Sequence, residues 1–85
     1  MTSINKEFLK YSKLIKTPKK KLSNTDLLTV YGLFKQSTIG DCNISKPKGL
    51  KVKAKAKWNA WNNIRGRTKQ KAMEQYIAKV KTILS

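Results

Sequence analysis

The sequence predicts an all-α fold, a four-helix bundle with a long loop between helices two and three. Three observations carry that expectation. Ala72, Met73, Tyr76, Ile77, Val80, Ile83 and Leu84 recur at spacings of three and four, the clearest amphipathic stripe in the chain. A second amphipathic run begins at Leu27 and stops at Gly40, a natural C-terminal residue for a helix. From Asp41 to Val52 the chain holds Asn, Ser, Pro47 and Gly49 with few apolar residues, which reads as a loop long for so small a domain. Helices joined by connectors of unequal length pack as a bundle.

Helix one is expected to start near Ser3, a good N-cap, with Lys6 where a capping-box Glu would be ideal. Glu7 is placed in the first turn, where it suits the helix dipole. Phe8, Ser12 and Ile15 share a stripe with Tyr11 and Leu14 beside it. The doublets Phe8-Leu9 and Leu14-Ile15 leave the rotation open. Pro18 ends the helix, because the residue before a proline avoids helical geometry, and Lys19 to Lys21 form a solvated connector.

Ser23 and Asp26 mark the start of helix two as a weak capping box. Leu27, Tyr31, Phe34 and Thr38 form one stripe, and Leu28, Tyr31 and Lys35 an overlapping one. Tyr31, Phe34 and Lys35 thus share a turn, two rings beside an ammonium, a seat for a planar anion. On geometry alone the rings read as core. Gly32 in mid-helix costs up to about 1 kcal/mol against alanine. Either a ligand approaches the backbone there or a second helix does.

Lys51 to Lys57 alternate with Val52, Ala54 and Ala56, nominally a strand signal, but alanine is a poor strand former and an excellent helix former. Helix three is therefore expected to carry the stripe Ala54, Trp58, Trp61 and Arg65, and to end before Gly66. Two tryptophans one turn apart read as core. Lys53 and Lys57 share another face, where both ammoniums reach one phosphate cluster or are simply solvated. Thr68 caps helix four. On that helix Tyr76 stands out, since its hydroxyl needs a partner if buried.

Eighty-five residues make one small domain, 1–85, with a thin core. No apolar run is long enough to cross a membrane, and the start does not read as a secretory signal. The single cysteine, Cys42, cannot form an internal disulfide and reads as an ordinary thiol in a reducing, cytoplasmic setting. With no histidine and only Glu7, Asp26, Asp41 and Glu74 as scattered acids, acid–base catalysis and metal cages are disfavoured. The chain does not read as an enzyme, and no cofactor or metal is expected.

The net charge of +16 calls for a polyanionic partner: nucleic acid, an anionic membrane or a phosphorylated small molecule. Lysine supplies 18 of the 20 basic residues, and AT-rich coding can produce that pattern with no ligand at all.

The run Tyr31-Gly-Leu-Phe-Lys-Gln-Ser-Thr-Ile-Gly40-Asp41 resembles the signature of the acyl-CoA-binding protein family. Lys53-Ala-Lys-Ala-Lys57-Trp58-Asn-Ala-Trp61-Asn is similar to that family's second familiar run, and Ala72-Met73 with Tyr76-Ile77 and Lys79-Val80 to its last helix. The likeness spans Ser23 to Leu84 and includes the spacing between blocks. It implies an up-down-down-up order of helices, with which a long loop between parallel helices two and three agrees. It also implies a non-catalytic carrier of medium- to long-chain acyl-CoA esters, passing cargo to acyl-CoA-using enzymes.

By resemblance, Tyr31 and Lys35 hold the adenine and 3′-phosphate, and Phe34 supplies a second ring without a hydroxyl. Lys57 completes the phosphate clamp, Lys53 adds a contact at the loop-to-helix junction, and Tyr76 lies near the ligand. Lys16 matches a first-helix lysine, and Gly32 and Leu33 fall within the matched helix-two run. Leu22 stands where the family has proline, and Pro18 comes early; both bear on the acyl groove and leave the head-group clamp untouched. A monomer is expected, with transient contact to anionic membranes as a compatible role. The alternative is a basic helical nucleic-acid-binding module. Against it, lysines circle every helix and arginine occurs only at Arg65 and Arg67.

Overall fold

A computed structural model describes residues 3–16 and 22–85. It contains four helices: α1 (Ser3–Leu14), α2 (Asn24–Thr38), α3 (Val52–Asn62) and α4 (Lys69–Leu84). Among the described residues, α4 lies between α1 and α2, and α3 packs on the far side of α2. The molecule is therefore a shallow row, 40 × 30 × 15 Å, and its central core is small: Phe8, Leu33, Tyr76, Ile77 and Val80.

The open rotation of α1 is settled by packing. Phe8 is buried, with Ile4, Tyr11 and Ile15 against the core, while Leu9 and Leu14 face solvent. Glu7 is not in the first turn as expected; the helix begins at Ser3, and Glu7 instead approaches Lys81 at 3.8 Å. The stop at Pro18 and the connector Lys19 to Lys21 lie outside the described residues.

Helix α2 starts as its sequence requires. Ser23 Oγ accepts the Asp26 backbone N–H at 3.1 Å, and the Asp26 carboxylate reaches Lys79 at 2.8 Å. The Lys79 ammonium holds that carboxyl below its usual range. After Ile39 the chain turns at Gly40, whose φ of 101° only glycine adopts easily.

The inward face of α2 differs from the expected apolar stripe. Gly32, Leu33, Gln36 and Ser37 are buried, whereas Leu27 is 51% exposed and Phe34 37%. Helix α2 is clasped on two sides, by α3 and α4, so small and polar residues occupy the tight contacts. A Cβ on Gly32 would lie 2.6 Å from the Ala60 carbonyl oxygen. Close helix packing therefore accounts for Gly32, since α3 covers that backbone. Leu33 likewise belongs to the core.

Gln36 is fully buried and donates to the Asp41 carboxylate at 2.9 Å and to the Arg67 carbonyl at 2.8 Å. The same Asp41 oxygen accepts the Gly66 N–H at 2.8 Å. The Gly66 N–H, then Gln36, hold the Asp41 carboxyl below the usual carboxylate range. This staple joins the end of α2 to the α3–α4 turn.

Residues 41–51 form the long connection. Trp61 Nε1 donates to the Gly40 carbonyl at 2.7 Å and Trp58 Nε1 to the Ile44 carbonyl at 2.8 Å, while Arg65 reaches the Cys42 carbonyl at 2.7 Å. The expected tryptophan stripe thus ties the loop to α3, with Trp61 fully buried and Trp58 only partly. Helix α4 follows its sequence closely. Thr68 caps it by accepting the Lys71 N–H at 3.1 Å, and Ala72, Tyr76, Ile77 and Val80 are buried.

Candidate functional site

Helices α2 and α3 touch at Gly32 and Ala60 and leave a groove toward their N-terminal ends. The groove holds about 440 Å³ and is lined by Asn24, Leu27 and Leu28 from α2 and Val52, Lys53, Ala56 and Lys57 from α3. Its floor is aliphatic, and its α3 edge carries two ammonium groups one turn apart. Leu27 and Val52, both more than half exposed, offer apolar surface that no core requires.

Tyr31 and Phe34 lie further along α2. Lys57 Nζ lies 5.5 Å from the centroid of the Tyr31 ring, so the two helices bring this cation and this ring together. One turn on, Lys35 Nζ lies 5.0 Å over the Trp61 ring. Phe34 stacks on Phe8 at 5.7 Å and meets Tyr76 at 6.1 Å; Phe8 and Tyr76 are 4.9 Å apart. These three rings form a wall that is closed below by Tyr76 and half open at Phe34.

Tyr76 is buried, and burial pushes its phenol above its ordinary range, so the hydroxyl stays protonated and able to donate. Among the described residues no hydrogen-bond partner holds that hydroxyl. Lys35, Lys53 and Lys57 are single-charge donors able to meet phosphate oxygens. No group of three or more His, Cys, Asp or Glu residues able to hold a metal occurs among the described residues.

Of the expected site residues, Lys53 and Lys57 line the groove, Tyr31 meets Lys57, Lys35 lies over Trp61, and Phe34 and Tyr76 meet each other. Gly32 and Leu33 are taken up by packing. Lys16 is exposed in the turn after α1, and among the described residues no contact places it against the others. Asn24, Val52 and Ala56 line the groove without having been singled out from sequence, and Leu27 and Leu28 were read only as stripe residues of helix two. Their signal is legible only once α2 and α3 are known to run side by side in the same direction, which puts 24, 27 and 28 opposite 52, 53, 56 and 57.

A family model described as "Acyl CoA binding protein" matches residues 5–80. The chain is 56% identical over 59 residues to an acyl-CoA-binding protein of Dictyostelium discoideum, covering 69% of this chain and 70% of the relative. It is 41% identical over 80 residues to acyl-CoA-binding domain-containing protein 3 of Oryza sativa subsp. japonica, covering 94% of this chain and 52% of that longer relative. The solved structure of Oryza sativa acyl-CoA-binding protein 2 superposes with a TM-score of 0.90 at 38% identity, covering 95% of this chain and 90% of that one. With the family match extending across all four helices, the chain belongs to the acyl CoA binding protein family.

Proposed function

We propose that this protein is a non-catalytic carrier of medium- to long-chain acyl-CoA esters. The observation that supports the reading is the α2–α3 groove itself: an aliphatic trough edged by Lys53 and Lys57, with Tyr31 against Lys57 and Lys35 one turn further along α2 over Trp61. An acyl-CoA makes three physical demands. Its adenine needs a ring face, which Tyr31 offers. Its phosphates carry about four negative charges and need cationic donors, which Lys35, Lys57 and Lys53 offer. Its acyl chain needs apolar cover, which Leu27, Leu28, Val52 and Ala56 offer. Phe34 adds a ring face, Tyr76 a protonated hydroxyl beneath it, and Lys16 a further ammonium from the end of α1.

The carrier works as a monomer in the cytoplasm. It shields chain and thioester from water and passes them to acyl-CoA-using enzymes. Binding and release need no bond made or broken, in keeping with a chain that has no histidine.

Isothermal titration of palmitoyl-CoA into Lys35→Ala and Lys57→Ala tests the clamp. Each charge-assisted hydrogen bond is worth about 1.5–3 kcal/mol, so each variant binds roughly ten- to a hundredfold more weakly. Among the described residues neither ammonium makes a hydrogen bond or an ion pair, each lying only over a ring, so the fold is expected to survive their loss. Unchanged affinity in both variants places the phosphates elsewhere.

A further inference from the structure

The end of the long loop carries an apolar residue, Leu50, that neither the core nor the groove uses. Leu50 is 97% exposed, in the turn just before α3, and Val52 two residues on is 74% exposed. Exposed leucines are common singly, but two large aliphatic residues at one protruding tip are not needed for solubility. Lys46, Lys48, Lys51 and Lys53 flank this tip, all of them exposed. From Cys42 to Met73 there is no acidic residue, yet this stretch carries ten of the twenty basic residues of the chain. The tip also adjoins the mouth of the groove, because Val52 and Lys53 line it.

We infer that the Leu50 tip docks on an anionic lipid bilayer, with Leu50 and Val52 entering the boundary between head groups and acyl chains and the flanking lysines meeting the lipid phosphates. The inference rests on the carrier reading for its purpose: a groove mouth held against the bilayer lets an acyl chain pass between membrane and protein without crossing water. Charge selects the occupant. A second copy of this chain carries the same +16 and is repelled. A nucleic acid would meet the lysines but give Leu50 no apolar surroundings. A bilayer surface rewards both parts at once.

Vesicle flotation of the ligand-free full chain tests this, using phosphatidylcholine vesicles and vesicles of about equal phosphatidylcholine and phosphatidylserine at physiological ionic strength. Wild-type protein is expected to float with the anionic vesicles and not with the neutral ones. Leu50→Ser changes no charge and removes only the apolar tip, so its partition to anionic vesicles falls roughly tenfold. Its affinity for palmitoyl-CoA in solution stays at the wild-type value, because Leu50 does not line the groove. In a Leu50→Trp variant, brominated lipids quench the new indole beyond the quenching of wild type. Flotation of Leu50→Ser equal to wild type, or no added quenching in Leu50→Trp, overturns the insertion. Tighter binding to duplex DNA than to the vesicles, indifferent to Leu50→Ser, also overturns it. Failure of wild-type protein to bind palmitoyl-CoA sinks the carrier reading separately, since flotation is read without that ligand.

Discussion

Palmitoyl-CoA is expected to bind about a thousandfold or more tightly than CoA, with free palmitate far weaker than the thioester. Apolar transfer is worth about 0.8 kcal/mol per buried methylene, so a palmitoyl chain offers on the order of 10 kcal/mol when fully covered. The groove is open along one side, and ordering a flexible chain takes back part of the gain, so about 4–5 kcal/mol is a reasonable net share. The head group is expected to decide which lipid is bound. Palmitate alone brings an apolar chain with one carboxylate and nothing for Tyr31 to stack on. Isothermal titration of the three ligands under one buffer gives the comparison directly. Similar affinity for CoA and palmitoyl-CoA would mean that the Leu27, Leu28, Val52 and Ala56 surface plays no part.

Trp61→Ala is expected to destabilise the fold by about 3–5 kcal/mol, a large share of what a domain this small possesses. Trp61 is only 1% exposed, and its removal leaves a cavity between α3, α2 and the loop. It also removes the indole donor to the Gly40 carbonyl, the contact that holds the end of α2 to α3. Lys35 loses the ring face on which its ammonium rests, so the damage extends to the binding side. Trp61→Phe separates the two effects. It keeps a ring beneath Lys35 and loses the donor, for a cost of about 1–3 kcal/mol. Urea unfolding followed by circular dichroism measures both variants. A loss below about 1 kcal/mol in Trp61→Ala would show that the loop is anchored by other contacts.

Much of the fold was legible because local signals were unambiguous. The Ser23 and Thr68 caps, the Gly40 stop and the Ala72-to-Val80 stripe each place an element boundary or face without reference to the rest of the molecule. The rotation of α1 was not legible, since Phe8-Leu9 and Leu14-Ile15 offer apolar residues on two faces and only contact with α4 and Phe34 chooses between them. The buried side of α2 was not legible either. Gln36 and Ser37 are polar: Gln36 is held by the Arg67 carbonyl, distant in sequence, and by Asp41, while Ser37 donates back to the Leu33 carbonyl within the helix. Hydrophobic periodicity cannot report a face held by hydrogen bonds.

The candidate site divides in the same way. Tyr31, Lys35, Lys53 and Lys57 stood out by spacing and by likeness to a family. Their pairing across helices, with Lys57 on Tyr31 and Lys35 on Trp61, follows from the depth at which α3 seats on Gly32. A side chain at position 32 would push Ala60 away and shift every lysine on α3 relative to α2. Gly32 thus sets how closely α3 seats on α2.

The central claim is that one acyl-CoA lies along the α2–α3 groove with its head group among Tyr31, Lys35 and Lys57. The most direct measurement is a titration of palmitoyl-CoA into isotope-labelled protein, followed through backbone amide NMR shifts. The account predicts saturable changes concentrated at Asn24 to Lys35 and Val52 to Lys57, with a further response at Tyr76. Saturable changes confined to the outer faces of α1 and α4, with the groove residues silent, would contradict it.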